Sequence, residues 1–208
     1  MPPIPVMGDF DGDRKNDIAV FRPSTGEWLL LLSGQNYVIG AGNWLFQWGL
    51  IGDVPTVGDF DGDGKADIAI YRPSAGDWYL RLSTEGYAIT RGNWYFQWGV
   101  DGDLPVVGDF DGDGKADISV FRPSTGEWLL RLSSQNYAIG AGRWYFQWGT
   151  PGDRPVVGDF DGDGRTDIAV FRPLTGEWFQ LRSGSNYDFI FSTNYFVWGT
   201  VSDYPLPR

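Results

Sequence analysis

The sequence predicts an all-β protein built from four similar sheets, and three observations carry that expectation. The chain repeats every 50 residues: Asp9, Asp59, Asp109 and Asp159 keep the step, as do Pro5, Pro55, Pro105, Pro155 and Pro205. Within each period, short runs alternate apolar and polar residues between turn-forming clusters, the period-two pattern of strands. Nowhere does an apolar stripe at helical spacing persist for three turns. Four short antiparallel strands in a repeat of about 50 residues is the pattern of a β-propeller blade, which buries its apolar faces only by stacking on its neighbours. A solenoid of the same period is the rival, but short hairpin turns suit radial blades better. The repeats run over 5–54, 55–104, 105–154 and 155–204, and their uniformity predicts one propeller domain over 1–208. Four blades closing a ring is the first expectation, and half of an eight-bladed ring completed by a homodimer is the alternative.

The second repeat shows each element. "PTVGDF" (55–60) is short and β-rich and reads as the first strand. An aspartate-rich loop follows, then "DIAIYRP", where Ile68, Ile70 and Arg72 alternate with Ala69 and Tyr71. "PSAG" is a turn in which Pro73 presets φ and Gly76 takes the left-handed position of a bulged hairpin. "DWYLRLS" alternates again, with Trp78, Leu80 and Leu82 on one face and Tyr79 and Arg81 on the other. "TEG" makes a second turn. "YAITRGNWYFQWG" reads as a longer fourth strand broken by a bulge at Gly92. Ungapped, residues 55–104 and 105–154 share 34 of 50 positions, so the repeats are near copies, the product of recent amplification or of design.

The aspartate loop is the most specific feature. In "DFDGDGKAD" carboxylates stand at positions one, three, five and nine, with glycine at four and six. Hard cations such as Ca²⁺ take six to eight oxygen ligands, and a tight loop with alternating carboxylates can wrap one ion. Glycine lets such a loop turn without a Cβ penalty. Without a cation, four carboxylates this close repel one another or take up protons. A plain connecting turn needs one Asp or Asn. The EF-hand is excluded, because position twelve is Val20, Ile70, Val120 or Val170 inside a strand, where that motif needs Glu.

"VVGDFDGDGKADI" with "FRP" following resembles the FG-GAP (VCBS-type) repeat of integrin α-subunit propellers and many bacterial extracellular proteins, across all four repeats. The resemblance implies a Ca²⁺-binding propeller whose loop joins the first two strands of each blade. Carried over by position, the side-chain ligands are Asp9, Asp11, Asp13 and Asp17 in the first repeat, and Asp59, Asp61, Asp63 and Asp67 in the second. The third has Asp109, Asp111, Asp113 and Asp117, and the fourth Asp159, Asp161, Asp163 and Asp167. Main-chain carbonyls of Lys15, Lys65, Lys115 and Arg165 complete the sets, for up to four Ca²⁺. Position six is glycine in three repeats but Arg14 in the first. If that position needs a positive φ, the first site is expected to bind most weakly.

Composition narrows the function. The chain has no cysteine and no histidine, so disulfides, thiolate metals and imidazole bases are excluded. The aspartate loops hold 16 of the 27 acidic residues, so the formal charge of −11 is a property of the loops. No basic stripe exists to meet nucleic-acid phosphates. No apolar run is long enough to span a bilayer, and "MPPIPVMGDF" has no signal-peptide organisation, so a signal is expected to lie outside this chain. Glu27, Asp77, Glu127 and Glu177 sit at hairpin turns as solvated charge. A glycosidase needs one facing carboxylate pair, which four-fold repetition does not suggest.

Trp28, Trp78, Trp128 and Trp178, with Trp48, Trp98, Trp148 and Trp198, recur in every blade and are assigned to packing. Arg22, Arg72, Arg122 and Arg172 are expected to pair with nearby carboxylates or carbonyls. The set Trp44, Trp94 and Trp144 is broken by Asn194 in the fourth repeat, and these three are the candidates for a sugar-stacking platform. The expected function is a non-catalytic extracellular module for binding, adhesion or scaffolding, with an unidentified protein or glycan partner. A lectin and an engineered symmetric scaffold without a natural ligand are the alternatives.

Overall fold

The computed structural model describes residues 2–40, 44–88, 94–139, 144–190, 193–201 and 203–205. Its strands form four separate antiparallel sheets, each a meander of four consecutive strands. The first sheet is β1 (Ile4–Gly8), β2 (Asp17–Arg22), β3 (Glu27–Leu31) and β4 (Trp44–Gln47). The second is β5 (Val54–Gly58), β6 (Asp67–Arg72), β7 (Asp77–Arg81) and β8 (Trp94–Gln97). The third is β9 (Leu104–Gly108), β10 (Asp117–Arg122), β11 (Glu127–Arg131) and β12 (Trp144–Gln147). The fourth is β13 (Arg154–Gly158), β14 (Asp167–Arg172), β15 (Glu177–Leu181) and β16 (Thr193–Val197). This is the expected all-β fold of four blades of the β-propeller class. The chain divides into two compact units, Met1–Asp101 and Gly102–Arg208, each holding two blades.

The register follows from the turns. In the second blade the aspartate loop sets Gly58 opposite Asp67 and Val54 opposite Tyr71. The tight turn after Arg72 places that arginine opposite Asp77 and Tyr71 opposite Trp78. Gly76 stands at φ 69°, as the bulged hairpin requires, and an added Cβ there would lie 2.2 Å from the Gly99 carbonyl oxygen. The second turn is a short 3-10 helix, Ser83–Glu85, closed by Gly86 in the left-handed region. The fourth strand begins at Trp94 and not at Tyr87, because Tyr87 itself turns at φ 57° and leaves the strand direction. The bulge expected at Gly92 lies outside the described residues.

Each unit buries its core between its two blades. In the first unit Phe10, Trp28 and Leu30 of the first blade pack with Ala66, Ile68, Ile70 and Tyr87 of the second. In the second unit Phe110, Trp128 and Leu130 meet Ile168, Val170 and Tyr187 in the same way. The first five residues of β6, β10 and β14 are all buried, whereas β2 alternates buried with less buried positions. Trp28, Trp78 and Trp128 are fully enclosed, as their packing assignment expects, and each indole N–H donates to the carbonyl of the tryptophan twenty residues on.

Candidate metal centre

Each aspartate loop is folded by its own backbone. In the second repeat the Asp59 carboxylate accepts from the amides of Gly62 (2.6 Å) and Gly64 (2.8 Å), curling the loop around its first residue. Gly62 and Gly64 sit at φ 83° and 85°. Position six thus needs a positive φ, and Arg14 adopts it too, at 67°. The buried Asp67 closes the loop: its two oxygens accept from the amides of Phe60 and Ser83, both at 2.7 Å. Asp17, Asp117 and Asp167 make the same two bonds in their blades. Position nine therefore ties the loop to the 3-10 turn after the third strand.

Three carboxylates converge in every loop. One oxygen from each of Asp59, Asp61 and Asp67 lies within 4.8 Å of the other two, and the same holds for Asp109, Asp111, Asp117 and for Asp159, Asp161, Asp167. In the first repeat the converging set is Asp9, Asp11 and Asp13, without Asp17. The remaining fifth-position residues, Asp63, Asp113 and Asp163, accept from the hydroxyls of Ser83, Ser133 and Ser183. Backbone amides of Lys15, Lys65, Lys115 and Arg165 donate to the fifth-position carboxylate of their own loops.

The donor chemistry fits a hard divalent cation. Burial, reinforced by the neighbouring Asp61 carboxylate, pushes Asp67 up to about 7, and Asp117 rises to about 7 by burial with Asp111 beside it. A carboxylate held there is poorly compensated by the protein alone. An oxygen-seeking cation at the convergence point would supply the missing charge.

The other sequence-marked residues fall elsewhere. Trp44 is half-buried, edge-on to Phe46 (6.0 Å between ring centroids) and Tyr87 (5.4 Å). Trp144 repeats this against Phe146 and Tyr187, and Trp94 stands edge-on to Phe96. Trp44 and Trp144 thus pack against a tyrosine of the next blade in their own units. A separate groove of about 470 Å³ in the first unit is lined by Trp48, Ile70, Arg72, Tyr79 and Tyr95, among others. The turn acids Glu27, Glu127 and Glu177 accept from Arg22, Arg122 and Arg172 at the hairpins.

One set escaped the sequence reading. The connector into each of the last three blades carries a buried aspartate that takes the hairpin arginine in two parallel bonds. Arg72 meets Asp53 at 2.9 and 2.9 Å, Arg122 meets Asp103 at 2.9 and 3.0 Å, and Arg172 meets Asp153 at 2.9 and 3.0 Å. The signal was present: Asp53, Asp103, Asp153 and Asp203 also keep the 50-residue step.

The loop geometry coincides with a family match. The model of the FG-GAP-like repeat matches residues 9–70, 59–120 and 109–170, each span running from one aspartate loop into the second strand of the next blade. The chain belongs to the FG-GAP-like repeat family. Comparison with curated proteins finds no match. FG-GAP-like repeats on a propeller-class fold make this chain a binding or scaffold module at the coarse level. Among the described residues no helix is long and apolar enough to cross a membrane.

Proposed function

We propose that this FG-GAP-like chain is a calcium-stabilised, non-catalytic binding or scaffold module that works outside the cell, with one Ca²⁺ in each aspartate loop. The observation that carries the reading is the convergence of three carboxylates in each of the four loops, from positions one, three and nine in the last three and from one, three and five in the first. The carbonyls of Lys15, Lys65, Lys115 and Arg165 and water would complete each shell, and the fifth-position aspartates stand one hydrogen bond away at the serine hydroxyls.

The role of the ion is structural. A shell made mostly of anionic carboxylates offsets the ion's charge and makes it a weak Lewis acid. The loop joins the first two strands and, through its position-nine aspartate, grips the turn after the third. One ion therefore holds three strands of a blade in register. Sites of this kind work at the millimolar calcium of extracellular fluids, where cation clips serve in place of disulfides. Four divalent ions would also bring the formal charge from −11 to −3.

Calorimetric titration of chelator-treated protein tests the reading. The expected stoichiometry is four Ca²⁺ per chain, falling to three in Asp109→Asn with Asp111→Asn. A wild-type chain that takes up no Ca²⁺ at millimolar concentration contradicts it.

A further inference from the structure

We propose that the last blade of one chain docks head-to-tail on the first blade of a second copy, with Asp203 of one copy gripping Arg22 of the other. The blade contacts inside each unit are the template. There, the leading face of one blade receives Ile68 or Ile168, both fully buried, and Tyr87 or Tyr187, each 3% exposed. In the first blade the corresponding Ile18 is 50% exposed and Tyr37 is 41% exposed, with Met7 open beside them. The fourth blade leaves the matching half open: Phe160 is 39% exposed and Trp198 77%, whereas Phe10 and Phe110 are fully buried. The residues exposed on each face are thus the counterparts of those that the other kind of face buries inside a unit.

Polar half-bonds match in the same order. Inside the units, the amide before the position-nine aspartate donates to the loop of the preceding blade, from Ala66 to the Asp9 carbonyl (2.6 Å) and from Thr166 to that of Asp109 (2.7 Å). The Tyr187 hydroxyl lies 2.9 Å from the Phe110 carbonyl, and that of Tyr87 lies 3.3 Å from the Phe10 carbonyl. The corresponding groups across the proposed contact are the Asn16 amide with the Asp159 carbonyl, and the Tyr37 hydroxyl with the Phe160 carbonyl.

Charge specifies the partner. Asp203 sits in the same turn as its counterparts: its carboxylate accepts from the Thr200 amide at 2.8 Å, as Asp53 accepts from Leu50 at 2.7 Å and Asp153 from Thr150 at 2.9 Å. Those aspartates are buried under arginine, whereas Asp203 is exposed: Arg154 donates to its main-chain carbonyl at 3.1 Å, and among the described residues no cation meets its carboxylate. Arg22 is the one hairpin arginine of the four with no connector aspartate, because Pro3 stands at that place. Its only carboxylate partner among the described residues is Glu27, and its side chain is 45% exposed. Such a contact joins unlike faces, so two chains satisfy both ends when they close on each other.

Light scattering coupled to gel filtration tests this with a charge swap. The wild type is expected to run at twice the chain mass. Arg22→Glu alone and Asp203→Arg alone should each dissociate at least about tenfold more readily, since like charges then face each other at both contacts. An equimolar mixture of the two variants should recover the dimer, because each contact then holds one opposite pair. Circular dichroism of the exposed Asp203→Arg variant controls for folding. A monomeric wild type, including one whose first and last blades meet within one chain, overturns the proposal. So does a dimer indifferent to both substitutions or a mixture that stays monomeric.

Discussion

At the scale of the residue, position six of the loop shows how the backbone ranks four nearly identical sites. Gly64, Gly114 and Gly164 take φ of 85°, 86° and 88°, and Arg14 is forced to 67° by the same loop, its amide drawn to the Asp9 carboxylate at 2.6 Å. A side chain in that region costs about 1 kcal/mol that glycine does not. Arg14→Gly should therefore raise unfolding free energy by about that amount in a urea titration, and should tighten the weakest Ca²⁺ step in calorimetry. This strain was legible, because a glycine pattern broken once names both the conformation and the exception. The division of labour among the aspartates was not. Position nine spends both oxygens on backbone amides of the loop and the following turn, and position five leans on a serine twenty residues ahead. Nothing in the local spacing encodes partners that distant.

At the scale of the element, each blade is a four-stranded meander, and its second strand is buried on both faces in β6, β10 and β14 but on one face in β2. Alternation located the first three strands and their turns. It overran the fourth, since Tyr87 at φ 57° is a residue type that rarely marks a left-handed position, and the strand opens only at Trp94. The connector aspartates were hidden by their bland setting in "GD" turns, although their period equals that of the loops. The two faces also differ in energy from blade to blade. Removing most of a fully buried isoleucine side chain costs about 3 kcal/mol, and far less where the site is half open. In the Asp203→Arg background, Ile68→Ala should thus destabilise by about 3 kcal/mol and Ile18→Ala by about 1 kcal/mol or less, measured by chemical denaturation. Equal losses would mean that Ile18 is covered in that background as well.

At the scale of the whole molecule, four repeats supply one fold and one proposed mode of stabilisation. The chain has no disulfides, its two units hold two blades each, and 16 of its aspartates are concentrated in the loops that join first and second strands. The family and the blade architecture could be read from the sequence because the repeat states the same pattern four times. Which faces remain open could not, because near-identical blades differ only in what their neighbours cover. In the proposed reading, cations in the four loops would hold the strands of each blade together. A site at a hundred times its dissociation constant adds about 2.7 kcal/mol, so four filled sites would add about 11 kcal/mol, as much as the whole stability of an ordinary domain. The most direct measurement is thermal unfolding of chelator-stripped protein, repeated across a Ca²⁺ titration with Mg²⁺ in parallel. Saturating Ca²⁺ is expected to raise the midpoint by at least about 20 °C, at roughly 2–4 °C per kcal/mol for a chain of this size, with a much smaller rise in Mg²⁺. A midpoint that stays within a degree or two of the stripped protein, or that Mg²⁺ raises equally, would contradict it.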